Sequence, residues 1–200
     1  MNALFKSLVD TVVINTNRPN LISEISSAIQ QETLAFHNRG QFKLDVKESI
    51  LTSTNGGQAE YRFSIPQNKR VRKLLSVRPL DPHGRYGKAL KQVDPFDGFC
   101  DRNYGFSWFN NVLNIKIPYP ATTFGLIYLE FPNVSQDGYN SWIAQRYPHY
   151  ITDAATARIL IIREKAQATF YQNKVGDARV PGSHIYDLLN QNEEVYFNEV

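Results

Sequence analysis

Histidine and cysteine are the side chains that most often bind metal ions, and the sequence contains five of them. They are His37, His83, Cys100, His149 and His184. No two of the histidines lie three or four positions apart, and the cysteine has no second ligand at the spacing of a zinc site. The sequence therefore predicts no metal site, and we expect no cofactor.

The chain does not contain the glycine-rich phosphate-binding loop, the G-x-S-x-G motif of hydrolases or the signature motifs of kinases. A lone cysteine can act as a nucleophile, with His83 as a candidate base. However, nothing around Cys100 predicts a helix start, and the adjacent Asp101 carboxylate disfavours a thiolate. We therefore expect a structural cysteine and no enzymatic activity. The alternative from a different functional class is an enzyme or a small-ligand-binding protein with a pocket near Trp108 and Cys100.

Positive charge is concentrated in the middle of the chain, although the net charge is only +3. Eight basic residues and one acid, Asp81, lie between Lys69 and Lys91, whereas no Lys or Arg follows Arg179. The basic stretch is either a solvated strand face or a surface that contacts a phosphate backbone without reading sequence. The candidates for that DNA-channel or basic surface are Lys69, Arg70, Arg72 and Lys73.

The N-terminal part, residues 1–40, predicts helices. Its first segment fits a helical stripe, although "TVVIN" is also compatible with a short strand. The next helix should begin near Arg18, with Pro19 in its first turn, because proline disfavours helical angles in the residue before it. Gly40 suits a left-handed cap after the last turn, where His37 complements the helix dipole. The apolar stripe of this helix is Ile22, Ile25, Ile29 and Phe36.

Residues 41–132 alternate apolar and polar side chains with a period of two, which predicts a β region. The strand candidates are "FKLDVKESIL", "EYRFSI", "VRKLLSV", "YGFSWF", "VLNIKI" and "FGLIYLEF". Asn110 and Asn111 separate two of them and tolerate the positive φ of a tight hairpin turn. The centre of the chain is therefore expected to form antiparallel strands.

The helical period returns in residues 133–179. A short helix in "YNSWIAQRYPHY" should end at Pro148, and one long helix should run from a cap at Thr152 or Asp153 to Gly176. A last segment, residues 180–200, begins with a plausible cap at Ser183 and alternates acidic with apolar residues. Such a segment gains by docking on a partner, as a helix or as an added strand. Its candidate docking residues are Ile185, Tyr186, Leu188, Leu189, Tyr196 and Phe197.

The order of elements predicts an α+β fold, a single domain with an insertion. In the simplest arrangement the helices 18–39 and 153–175 pack together as a bundle, and the β region projects from them. The outer face of the first of these helices carries Ser and Gln in place of charge, which suits either plain exposure or a contact between subunits. The candidate subunit-contact residues are Ser23, Ser27, Gln30 and Gln31, with Ser26 beside them.

Two stretches of the sequence resemble the head-to-tail adaptor proteins of tailed bacteriophages, also called connector, head-completion or tubular neck proteins. The first is "TVVINTNRPNLISEISSAIQQETLAFHNRGQFKLDVKE", in which the matching positions are Arg18, Pro19, Asn20, Leu21, His37, Phe42 and Asp45. The second is "SWIAQRYPHYITDAATARILIIREKAQATFYQNKVGD", in which Trp142, Ile143, Tyr147 and Pro148 precede an alanine-rich helix. Between them, "LIYLEFP" resembles the strand that joins the β part to the second helical part.

The resemblance implies a structural virion protein at the head-tail interface, assembled in the host cytoplasm. Its copies, typically about twelve, would form a ring that binds the portal protein, presents a platform to a tail or nozzle protein and lets DNA pass through the lumen. The C-terminal segment would bind the portal. A tail-completion or terminator ring is the alternative within virions. No apolar run approaches the length of a membrane span, and the N-terminus does not resemble a secretion signal, so we expect a soluble protein.

Overall fold

The computed structural model describes residues 1–54, 59–66, 69–94, 104–161 and 164–191. In that part of the chain the fold is mixed α+β, with six α-helices and two antiparallel sheets of three strands. The helices are α1 (Ala3–Thr16), α2 (Ile22–His37), α3 (Trp142–Arg146), α4 (Pro148–Leu160), α5 (Lys165–Val175) and α6 (His184–Gln191). The strands are β1 (Val46–Thr52), β2 (Glu60–Ser64), β3 (Val71–Leu80), β4 (Gly105–Phe109), β5 (Val112–Lys116) and β6 (Thr123–Glu130).

The chain divides into two compact units. The helical unit comprises Met1–Asp45 and Phe131–Val200, and the sheet unit comprises Val46–Glu130. The sheet unit is thus an insertion between the two halves of the helical unit, and its ends lie a few residues inside the expected range 41–132.

The first segment of the chain is entirely helical, so "TVVIN" is not a strand. Asn2 caps α1, because its side-chain oxygen accepts a hydrogen bond from the Leu4 amide at 2.8 Å. Asn17 ends the helix in the left-handed conformation, with φ of 51°. The buried stripe of α1 packs into the core of the helical unit and consists of Phe5, Leu8, Val9 and Val12.

The second helix begins and ends differently from the sequence prediction. Pro19 opens a 3-10 turn, Pro19–Leu21, and α2 follows directly from Ile22. The residue after α2, Asn38, keeps helical angles, and Gly40 does not have a positive φ. A Cβ atom at Gly40 would lie 3.0 Å from Cδ2 of Leu189 on α6, so close packing accounts for this glycine better than a left-handed cap.

The predicted long helix is two helices. The short helix α3 ends at Arg146, before Pro148, as predicted, but Pro148 also occupies the first turn of the next helix, α4. Thr152 and Asp153, the expected caps, are buried inside α4. This helix ends at Leu160 and α5 starts at Lys165, after Glu164, whose φ of −130° and ψ of 61° are not helical. Gly176 follows α5 with φ of 58°, as predicted for a helix end.

The sheet unit contains two three-stranded antiparallel sheets, in the orders β1-β6-β3 and β2-β5-β4. The turn between β4 and β5 has φ of 47° at Asn110 and 61° at Asn111, which confirms the predicted hairpin. The first predicted strand is shorter than expected, since Lys43–Asp45 forms a 3-10 turn and β1 starts at Val46.

The inner faces of the two sheets form one core, in which the alternating apolar positions of β3, β5 and β6 are buried. Its largest fully buried side chains are Leu113, Ile115, Ile117 and Phe124. Among the described residues, no helix is both long and apolar enough to cross a membrane.

Candidate functional site

A cluster of four polar side chains lies inside the helical unit. His37 comes from the last turn of α2, Asp45 from the 3-10 turn before β1, and Ser141 and Trp142 from the start of α3. His37, Asp45 and Ser141 are at most 4% exposed. We call these four residues the His37 cluster. It joins segments that are about a hundred positions apart in the sequence.

Every polar group in the His37 cluster has a partner. Nδ1 of His37 lies 2.9 Å and 3.1 Å from the two carboxylate oxygens of Asp45, and Nε1 of Trp142 donates to the same carboxylate at 2.8 Å. On the other side of the ring, Nε2 of His37 lies 3.0 Å from Oγ of Ser141. Because an ionised carboxylate only accepts hydrogen bonds, Nδ1 of His37 is the donor to Asp45.

The order Ser141, His37, Asp45 resembles that of a catalytic triad, but the geometry does not suit catalysis. Oγ of Ser141 already accepts a hydrogen bond from the Ala144 amide at 3.2 Å and caps α3. The serine is 1% exposed, so a substrate cannot reach it in this conformation. A buried and satisfied network of this kind fixes the relative positions of the segments that contribute to it.

Aromatic packing encloses the His37 cluster. The Trp142 ring lies edge-on to Phe42 at 5.3 Å and to His37 at 5.8 Å. One helical turn before His37 on α2, Thr33 makes a 2.6 Å hydrogen bond with the hydroxyl of Tyr139. Burial raises the pKa of Tyr139 to about 12, and the hydrogen bond to Thr33 opposes that rise in part.

The predicted portal-binding residues lie partly in the core. Ile185 and Leu188 of α6 are buried in the helical unit, at 2% and 0% exposure, and Leu189 packs against the same core. This corrects the expectation that the apolar side of this segment is free for a partner. Tyr186 is half-buried. Tyr196 and Phe197 lie outside the described residues, so the structure gives no information on them.

Polar contacts also hold α6 to its own unit. Ser183 caps α6, as predicted, by accepting a hydrogen bond from the Tyr186 amide at 3.2 Å. The next residue, His184, pairs with Asp153 at 2.9 Å and stacks on the Tyr150 ring at 4.4 Å. A partner could reach the buried side of α6 only after these contacts had broken.

The predicted basic surface belongs to the sheet unit, and some of its side chains already have partners there. The ammonium group of Lys69 donates to Oγ of Ser49, and Arg70 lies 3.4 Å from Glu130. Arg72 is half-exposed, and Lys73 is exposed on β3. Lys69 and Arg70 thus precede β3, Arg72 and Lys73 lie at its start, and positive charge remains at the surface.

The predicted subunit-contact face of α2 is only partly available. Ser23 and Ser27 are exposed, as expected. Gln30 donates to the Val134 carbonyl at 2.9 Å, and Gln31 accepts a hydrogen bond from Arg158. Ser26, which we grouped with this face, is instead buried.

The alternative site near Trp108 lies partly outside the described residues. Trp108 packs at the edge of the sheet core, and Cys100 and Asp101 lie outside the described residues. His83 lies in an exposed turn, where its amide donates to Asp81 at 2.8 Å. Across the described residues, no three His, Cys, Asp or Glu side chains are grouped so that they could hold a metal ion.

Comparison with known proteins does not assign the chain to a family. No protein-family model matches the sequence, and the search of curated proteins found no significant match.

Sequence reasoning missed the His37 cluster as a unit. It interpreted His37 as a helix-end residue that faces the dipole, whereas the side chain is buried and turned towards Asp45. The available signal was the occurrence of His37, Asp45 and Trp142 in the two stretches that resemble the adaptor proteins. Ser141 is the first residue of the second stretch, but it was not among the matching positions.

Proposed function

We propose that the chain is a structural protein of a tailed-bacteriophage virion, forming a ring between the portal and the tail. One observation carries the proposal. The positions that resemble the adaptor proteins in two distant stretches, His37, Phe42, Asp45 and Trp142, are in contact with one another, and all but the half-exposed Trp142 are buried. A chance resemblance in two separate segments would not require that their matching residues be in contact.

The two-unit organisation also supports this proposal. The His37 cluster ties the end of α2 to the start of α3, and these segments flank the sheet unit in the sequence. Hydrogen bonds therefore join the segment where the insertion leaves the helical unit to the start of α3, which follows the point where the insertion re-enters at Phe131. In the proposed ring the helical units contact one another and the portal, and the sheet units reach towards tail components or neighbouring copies.

The proposed DNA contact is weak and independent of sequence. Arg70 shares its charge with Glu130, which reduces the positive field that passing DNA would meet. A lumen that bound phosphates tightly would impede DNA ejection. The surface formed by Lys69, Arg70, Arg72 and Lys73 suits transient contact of this kind.

The experiment that tests the function is binding to the portal protein of the same virion. The C-terminal contact is best tested by removing residues 192–200, because a deletion from Ser183 would also remove the core side chains Ile185 and Leu188. We expect the full chain to co-sediment with the portal and the shortened chain to bind at least about tenfold more weakly. Unchanged binding of the shortened chain would refute the C-terminal contact, and no binding of the full chain would refute the proposed function.

The same experiment distinguishes the proposed function from the alternative function within virions. A tail-completion or terminator ring would bind isolated tail tubes and not the portal. Incubating the chain with each partner in parallel therefore distinguishes the two assignments.

A further inference from the structure

Two histidines from different helices face each other where α6 packs against α4. His149 lies in the first turn of α4, and His184 is the first residue of α6. Their rings meet edge-on, with 5.1 Å between the ring centroids. Nε2 of His184 also pairs with the Asp153 carboxylate of α4 at 2.9 Å. We call His149, Asp153 and His184 the histidine latch, because these side chains join the start of α6 to α4.

The charges that the described part of the chain places around the histidine latch do not balance two protonated imidazoles. The Asp153 carboxylate lies 2.9 Å from Nε2 of His184 and 3.8 Å from the ammonium group of Lys174, so one acid already faces two bases. Asp187, in the first turn of α6, is a second acid near the contact, because its charge acts on Tyr150 beside His184. The titratable and charged groups that face the latch include Lys174 of α5, Asp187 of α6, Tyr150 of α4 and Tyr147 just before α4.

Protonation has opposite effects at the two histidines. An imidazolium at His184 strengthens the pair with Asp153, because the partners then carry opposite charges. A second imidazolium at His149 lies 5.1 Å from the first and at the N-terminus of α4, where the helix dipole disfavours positive charge. Partial burial of the His149 ring and the charge of His184 lower the pKa of His149. Asp153 opposes this effect and Lys174 adds to it. The contact between α4 and α6 therefore favours a neutral His149.

We propose that the histidine latch makes the attachment of α6 sensitive to pH: as His149 becomes charged, α6 separates from α4 more often. Once the helices separate, the His149 ring loses the burial and the neighbouring charge that lower its pKa, so the open form binds a proton more readily. The closed form is therefore fully favoured above the ordinary histidine pKa of 6.5 and loses this advantage as the pH falls below it. Opening uncovers Ile185 and Leu188, which are buried when α6 is attached. This pH sensitivity does not require the proposed ring.

Hydrogen exchange of the full chain, followed by mass spectrometry of peptide 184–191, measures how often α6 opens. Exchange is compared between about pH 7.5 and about pH 5.5, a range in which histidine titrates and carboxylates keep their charge. Protection is the intrinsic exchange rate of an unstructured chain at the same pH divided by the measured rate. A positive charge at a helix N-terminus changes an equilibrium by roughly two- to fivefold, and repulsion by the second imidazolium adds to this. We therefore expect the protection of α6 to fall at least about threefold, and that of α1 to change by less than about twofold.

The variant His149→Gln keeps a polar side chain at this position but cannot acquire a charge. His149 is exposed, so the variant should fold. Its α6 protection at about pH 7.5 should lie within about twofold of the wild-type value, and the fall towards about pH 5.5 should be largely lost. The matched control is His83→Gln, which removes a histidine from an exposed turn of the sheet unit and should keep the full fall. Equal pH dependence of α6 in the two variants would overturn the inference.

Two further comparisons separate opening of α6 from a general loss of stability in acid. If the protection of α1 fell as much as that of α6, the acid effect would be global and the inference would be wrong. The variant Lys174→Gln removes a positive group beside Asp153 and leaves both histidines in place, so it should reduce the fall in α6 protection. A fall as large as that of the wild-type protein would contradict the charge balance on which the latch depends.

Discussion

The variant Asp45→Ala tests whether the His37 cluster holds the helical unit together. Asp45 accepts hydrogen bonds from Nδ1 of His37 and from Nε1 of Trp142. The substitution removes the carboxylate to which both donors bind, and one of these donors is on a histidine that is 1% exposed.

The expected loss of stability follows from the burial of the two donors. A buried donor without its acceptor costs about 1–3 kcal/mol, and Asp45→Ala affects two such donors. The Trp142 side chain is half-exposed, so water can partly replace its lost acceptor. We therefore expect the free energy of unfolding to fall by about 3 kcal/mol, a large part of the 5–15 kcal/mol that is typical of a domain.

Urea unfolding followed by circular dichroism at the helix band measures this loss. With a denaturant slope of about 2 kcal/mol per molar urea, the midpoint should fall by about 1.5 M. The control is Asp10→Ala, which removes an exposed carboxylate from α1 and should change stability by less than about 0.5 kcal/mol. If Asp45→Ala behaved like Asp10→Ala, the cluster would not be the link that we describe.

Three further variants test other parts of the account. The pKa of Tyr139 is about 12 in the folded protein and about 10 in the unfolded chain. The neutral tyrosine therefore contributes roughly 2–3 kcal/mol to the free energy of unfolding below pH 10, and this contribution is lost as the pH rises towards 12. Tyr139→Phe should therefore flatten the fall in stability between pH 10 and 12 in urea titrations, and an unchanged slope would count against this assignment. Gly125→Ala should lower the free energy of unfolding by at least about 1 kcal/mol, because the added Cβ overlaps Cε1 of Tyr86. In a double-mutant cycle, Gly125→Ala should have a smaller effect when Tyr86 is also replaced by Ala. Leu188→Ala should lower the free energy of unfolding by about 2–5 kcal/mol if α6 belongs to the core, and a loss below about 1 kcal/mol would indicate that α6 is detached in solution.

The sheet unit was the part of the fold that the sequence predicted best. Alternation of apolar and polar residues follows directly from strand geometry, and the Asn110–Asn111 turn depends only on local backbone angles. The helix boundaries were harder, because proline fits both after a helix and in its first turn; the end of α3 before Pro148 was predicted, but the start of α4 at Pro148 was not. Gly40 was misread for a different reason: its small size serves a contact with Leu189, about 150 positions later.

The candidate site could be predicted only in fragments. His37, Phe42, Asp45 and Trp142 were all in stretches that we singled out, but a linear sequence does not show that side chains a hundred positions apart share hydrogen bonds. The same limit affected α6. Ile185 and Leu188 were correctly placed on one apolar face, whereas the choice between a partner and the chain's own core depends on tertiary packing.

Electron cryo-microscopy of the assembled particle tests the central claim most directly. We expect a ring of density between the portal and the tail into which both the helical unit and the sheet unit of this chain can be built, in equal copies. The helical units should contact the portal and one another. A neck whose density is fully explained by other chains, in a particle that does not contain this protein, would contradict the proposal.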